Sequence, residues 1–126
     1  SSNRKGEPLA VISHETALSI HELSDIMPHR IHVTVPSGFR KKIPKAYSVH
    51  RGFVDVNERE QRQGYSVVNP LRAIIDCAES GLSPDYLRQA IHEAFGRGMV
   101  QVGDITNAGL SEKARRIITA VTAELT

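Results

Sequence analysis

The chain has 126 residues, 40% of them apolar and 24% charged, with a net charge of +2 and one cysteine. That length suits a single domain whose core needs neither disulfide nor metal. A mean hydropathy of −0.28 argues against global disorder. No apolar run approaches the ~18 residues of a membrane span, and no charged-then-apolar leader opens the chain. Cys77 has no partner within the chain, which fits a reducing, cytoplasmic setting.

Residues 1–8, polar apart from Pro8, read as a linker or tail, either the join to a preceding segment or a remnant of processing; residues 9–126 read as the domain. Ser13 stands where a helix cap would, with Glu15 in the first turn. His14, Ala17, Leu18 and His21 then fall on one face, and the spacing predicts a helix ending between Leu23 and Asp25. From Arg30 to Val35 the residues alternate, Ile31, Val33 and Val35 against Arg30, His32 and Thr34. That is the period of a half-buried strand with the polar set outward. Pro36-Ser37-Gly38 breaks it, and alternation returns from Ala46 to Arg51. Gly52 interrupts, and Phe53 to Val56 reads as a short third strand or a continuation past a bulge, residues 57–64 as a charged loop, and Tyr65 to Val68 as a last strand.

The period then changes. Asn69 caps and Pro70 opens a helix that carries Leu71, Ile74, Ile75 and Ala78 on one face and stops at Gly81. Ser83 and Pro84 open another, ending at Gly96; Gly98 to Ile105 fits neither period. A final helix follows Ser111. The expected fold is α+β: a small, mostly antiparallel sheet with helices packed on one face, an N-terminal helix, then strands, then three C-terminal helices.

Charge is unevenly spread. Between Pro28 and Arg51 lie Arg30, Arg40, Lys41, Lys42, Lys45 and Arg51, with no Asp or Glu. Setting those six cations aside turns the net +2 into −4 for the remainder. An acid-free cationic tract in an otherwise acidic chain suits a phosphate-contacting surface; a loop needing only solubility usually mixes signs. Arg30 and His32, on the outward side of the first long strand, would extend that surface.

Catalytic patterns are weak. Gly96-Arg97-Gly98 lacks the third glycine of a dinucleotide loop and follows a helix rather than a strand. His14 and His21 stand about 10 Å apart along a helix axis, too far to share an ion unaided. His32 and His50 can face each other across neighbouring strands, but that pair would need a third ligand. No metal and no cofactor is expected. Asp55, Glu58 and Glu60 would suit a metal-dependent nuclease, yet Glu58-Arg59-Glu60 supplies no lysine, and a solvated loop explains them. Cys77 reads as a small buried residue, and Arg72 with Asp76 as a surface i,i+4 ion pair.

Ser13-His14-Glu15-Thr16-Ala17-Leu18 is followed by the strand Arg30-Ile31-His32-Val33-Thr34-Val35-Pro36. Then come Val49-His50-Arg51 and Val67-Val68-Asn69-Pro70-Leu71-Arg72-Ala73-Ile74-Ile75-Asp76. Over roughly residues 9 to 100 this resembles the region after the winged helix in AbiEi-type antitoxins of bacterial abortive-infection, type IV toxin–antitoxin systems. The opening motif (Ser13, His14, Ala17, Leu18) and the segment with Arg72 and Asp76 carry the likeness. The resemblance implies a non-enzymatic module that counters a nucleotidyltransferase-like toxin, directly or indirectly. It also implies help in operator binding and transcriptional autoregulation through a basic surface. The family's winged helix has no counterpart before Leu9. The alternatives are a degenerate or active nuclease and a plain protein-interaction domain whose basic loop takes an acidic partner. DNA contact would fall to Arg30, His32, Arg40, Lys41, Lys42, Lys45 and Arg51.

Overall fold

A computed structural model describes residues 10–125, so the 1–8 segment lies outside the described residues. The elements run β1 (Val11–Ile12), α1 (His14–Ile20), β2 (Ile31–Val35), β3 (Tyr47–Arg51), a 3-10 turn (Val56–Glu58), β4 (Arg59–Arg62), β5 (Tyr65–Val68), α2 (Pro70–Ser80), α3 (Pro84–Gly96), α4 (Val102–Asn107) and α5 (Glu112–Ala123). The class is α+β, with the helices packed against one five-stranded sheet of order β3-β2-β1-β5-β4. The β1–β2 and β4–β5 neighbours are antiparallel, and parallel pairings join β1 to β5 and β2 to β3.

Several boundaries differ from the expectation. A two-residue strand precedes the first helix, and that helix stops at Ile20 rather than near Leu23. There Glu22 takes a left-handed φ of 57°, and Arg97 at the end of α3 donates to the carbonyls of His21 (3.1 Å) and Glu22 (3.0 Å). That tie turns the chain out of the helix. Phe53 to Val56 forms no strand; the antiparallel partner of β5 is the polar Arg59–Arg62 segment, expected to be loop. Four helices follow the sheet rather than three, because Val102–Asn107 forms a short one that buries Ile105.

Helix α2 forms where its signals stand. Asn69 Oδ1 accepts from the Arg72 N–H at 2.8 Å, and Gly81 closes the helix at φ 83°. The core joins Val11, Leu18, Val67, Val68, Ile74, Leu87, Ile91 and Ile118 from strands and helices alike. His21 belongs to it, its Nε2–H donating to the Val68 carbonyl at 2.8 Å. A buried imidazole with that bond satisfied is a tether between α1 and β5.

Candidate functional site

The outward face expected for β2 is turned inward. Thr34 is buried and His32 half-buried, because α1 packs on that side, while Val33 and Val35 are buried on the other. Alternation separates two faces of a strand but does not say which one the helices cover. Ser13, expected to cap α1, makes no cap bond; its hydroxyl accepts from Thr34 Oγ1 at 2.7 Å and lies 2.8 Å from His14 Nδ1. The Ser13 hydroxyl thus bridges Thr34 and the His14 ring, tying β2 to the start of α1.

His14 enters the helix with φ 57°, a left-handed conformation that His, Asn and Asp adopt more readily than other side chains. The turn from β1 straight into α1, with no loop, places its ring flat on His50 at a centroid distance of 3.5 Å and 12° between planes. His32 joins the pair. In the parallel register His32 lies opposite Ser48 and Thr34 opposite His50, so the two histidines are diagonal neighbours on one face. His32 Nδ1 is 2.9 Å from His50 Nε2, and His32 Nε2 is 3.1 Å from Glu15 Oε1. With Glu15 ionised, His32 donates to the carboxylate and accepts from His50, a chain of polar groups running from α1 to β3.

Burial, with His50, His32 and Arg72 nearby, lowers His14 to about 3. Burial and the His32 charge also lower His50, against the pull of Glu15. His14 and His50 are thus both held toward the neutral form. Among the described residues no group of three or more His, Cys, Asp or Glu is arranged to hold a metal ion. A cleft of about 370 Å³ opens beside it, lined by Glu15, His32, His50, Cys77, Ser80 and Ser83 among others. Burial pushes the Cys77 thiol well up, so it stays protonated.

The segments Ser13–Leu18 and Arg72–Asp76 meet here. Asp76 Oδ2 lies 3.9 Å from His14 Nδ1, a polar approach rather than an ion pair while His14 is neutral. Asp76 Oδ1 accepts from Arg72 Nε at 2.8 Å. Ala17 and Leu18 are fully buried beneath. The Arg72–Asp76 pair is not the surface pair expected: the side chains are 16% and 10% exposed, and Arg72 Nη1 also reaches Glu58 (2.9 Å) and the Phe53 carbonyl (3.0 Å). Burial raises Asp76 against the pull of Arg72, and its Oδ2 has no hydrogen-bond partner among the described residues.

The basic residues divide into three groups. Arg40, Lys41, Lys42 and Lys45 are exposed on the β2–β3 connection and form no side-chain hydrogen bond or ion pair among the described residues. Arg30 and Arg51 clasp that loop: Arg30 Nη1 donates to the carbonyls of Lys45 (2.5 Å) and Tyr47 (3.3 Å), and Arg51 Nη1 to those of Phe39 (2.7 Å) and Ser37 (3.4 Å). His32, placed on that surface by its alternation, sits instead in the histidine stack. The acidic trio is engaged in structure. Asp55 and Glu58 form a reciprocal cap of the 3-10 turn, Glu58 also holds Arg72, and Glu60 meets Arg62 at 3.3 Å.

Comparison of the chain with models of known protein families finds no match, and comparison with curated proteins finds none. The histidine stack was only half visible in the sequence. The His32–His50 pairing follows from strand alternation; the arrival of His14 needed the left-handed turn, which no local pattern signals.

Proposed function

We propose that this domain is a non-catalytic regulatory module that lays its 40–45 loop against the phosphate backbone of DNA. The observation that carries this reading is the loop itself: four exposed cations without partners among the described residues, with no acid between Pro28 and Arg51, and with its backbone held at both ends by Arg30 and Arg51. A clasped loop loses less conformational freedom on binding than a slack one. The resemblance to AbiEi-type antitoxins supports the wider role: a bacterial, cytoplasmic phage-defence protein that counters a nucleotidyltransferase-like toxin, directly or indirectly, and assists autoregulation alongside a winged helix. The structural engagement of Asp55, Glu58 and Glu60 favours this over a nuclease.

Phosphate contacts give affinity and register, not sequence. Four of them imply a log–log salt slope of about −3.6, so duplex affinity falls about 150-fold between 50 and 200 mM salt. Affinity in the non-specific range, ~10⁻⁴–10⁻⁶ M at physiological salt, is expected. Lys41→Ala with Lys42→Ala should reduce the slope to about −1.8. An unchanged slope in the double variant would remove the basis of the reading. Co-expression with the toxin tests the wider role: protection that survives only with the domain present supports it.

A further inference from the structure

The nucleic-acid reading, on which this inference rests, leaves one surface unexplained. Phe53 is 78% exposed, yet the backbone around it is held on every side. The Gly52 N–H donates to the Val35 carbonyl at 3.0 Å, Arg72 holds the Phe53 carbonyl at 3.0 Å, and Arg59 holds the Val54 carbonyl at 3.1 Å. Val54, one residue on, is buried. The ring is therefore presented to solvent by a fixed backbone, which forgoes the stabilisation that burying a large apolar side chain contributes.

The ring borders a cleft of about 560 Å³ with Val11, Thr34 and Val54 among its lining. Pro36 and Ser37, where the cationic loop begins, also line it. Arg51, two residues before Phe53, holds the Ser37 and Phe39 carbonyls, so ring and loop share one anchor. Asp55, an acid in the lining, already accepts the Asn57 N–H at 3.1 Å. An aromatic face beside an acid-free cationic loop matches the requirements of a nucleobase attached to a phosphate backbone.

We propose that Phe53 is a stacking platform for an unpaired nucleobase, so that the domain prefers single-stranded nucleic acid, with the 40–45 loop tracking the phosphates. A base inside a duplex cannot reach the ring; an unpaired one can. A protein partner would need acids for the loop and an apolar plug for the cleft, whereas one strand of nucleic acid supplies both chemistries at adjacent positions.

Binding is measured by fluorescence anisotropy with a short oligothymidylate, an abasic deoxyribose-phosphate strand of the same length, and a duplex. The full chain should bind oligothymidylate about 5- to 150-fold more tightly than the abasic strand. Phe53→Ala should bring oligothymidylate down to the abasic level and leave duplex and abasic binding unchanged, and Phe53→Trp should retain the preference. Thermal unfolding of Phe53→Ala at the wild-type temperature confirms an intact fold. Equal affinity of the wild type for thymidylate and abasic strands overturns the proposal. So does Phe53→Ala without effect while Lys41→Ala with Lys42→Ala weakens all three probes; the phosphate reading then stands and only the stacking falls. Loss of thymidylate binding in Phe53→Ala with the lysine variant unaffected on every probe refutes the phosphate reading and keeps the base site. Protein capture that depends on Phe53, with no strand preference, assigns the cleft to a protein and also overturns the proposal.

Discussion

Replacing His14 with asparagine tests the histidine stack. In the native state burial and its charged neighbours hold the imidazole at about 3, whereas an unfolded histidine titrates near 6.5. Acidification therefore protonates the unfolded chain first. The sign follows: this contribution to stability is complete above pH 6.5 and is lost as pH falls toward 3, at about 1.4 kcal/mol per pH unit in between. At pH 5 the loss relative to pH 8 is about 2 kcal/mol from His14 alone, a sizeable part of the roughly 5–15 kcal/mol that holds a domain folded. His50, also lowered, acts in the same direction. Asp76, raised by burial, acts in the opposite one, since the native state takes up that proton first. The comparison of variant with wild type isolates His14. Asparagine tolerates the left-handed φ of 57°, so the backbone need not move. Urea unfolding at pH 8 and pH 5, followed by circular dichroism, should show the wild type losing about 2 kcal/mol more than His14→Asn between the two. Equal losses would mean that His14 is not held neutral by its surroundings, and the account of the stack would fail.

Arg72→Ala leaves Asp76 buried without its cation, and urea unfolding at pH 7 should show about 3–5 kcal/mol lost; recovery of most of it in the double variant Arg72→Ala with Asp76→Ala would confirm the cause. Gly81→Ala places a side chain at φ 83° and should cost about 1 kcal/mol, read as a lowered urea midpoint. Asn69→Ala removes the α2 cap and should cost about 1 kcal/mol, while Ser13→Ala, whose hydroxyl caps nothing, should instead disturb the pH dependence measured for His14. Leu18→Ala, at the centre of the core, should lower stability by about 2–5 kcal/mol in the same measurement.

Local signals determined those parts of the molecule whose physics is local. Asn69, Pro70 and Gly81 specify α2 because a cap, a preset φ and a left-handed stop each act within one turn. Alternation marks β2 and β3 to within a residue because side chains on a strand change face at every step. The acid-free run of Arg40, Lys41, Lys42 and Lys45 is visible as composition, and a single loop keeps neighbours in sequence as neighbours in space. Other features depended on partners distant in the chain. Val11–Ile12 is too short to show a period and is a strand because β2 and β5 flank it; Arg59–Arg62 is polar throughout and is a strand because β5 pairs with it. Helix α1 decided that the polar face of β2 turns inward, which withdrew His32 from the cationic surface and joined it to His14, His50 and Glu15. The Arg72–Asp76 spacing predicts an ion pair, but only packing against the 3-10 turn and the strand ends made it a buried one. Periodicity and capping are properties of a few adjacent residues, whereas burial is a property of what covers them, and that is settled when the elements come together.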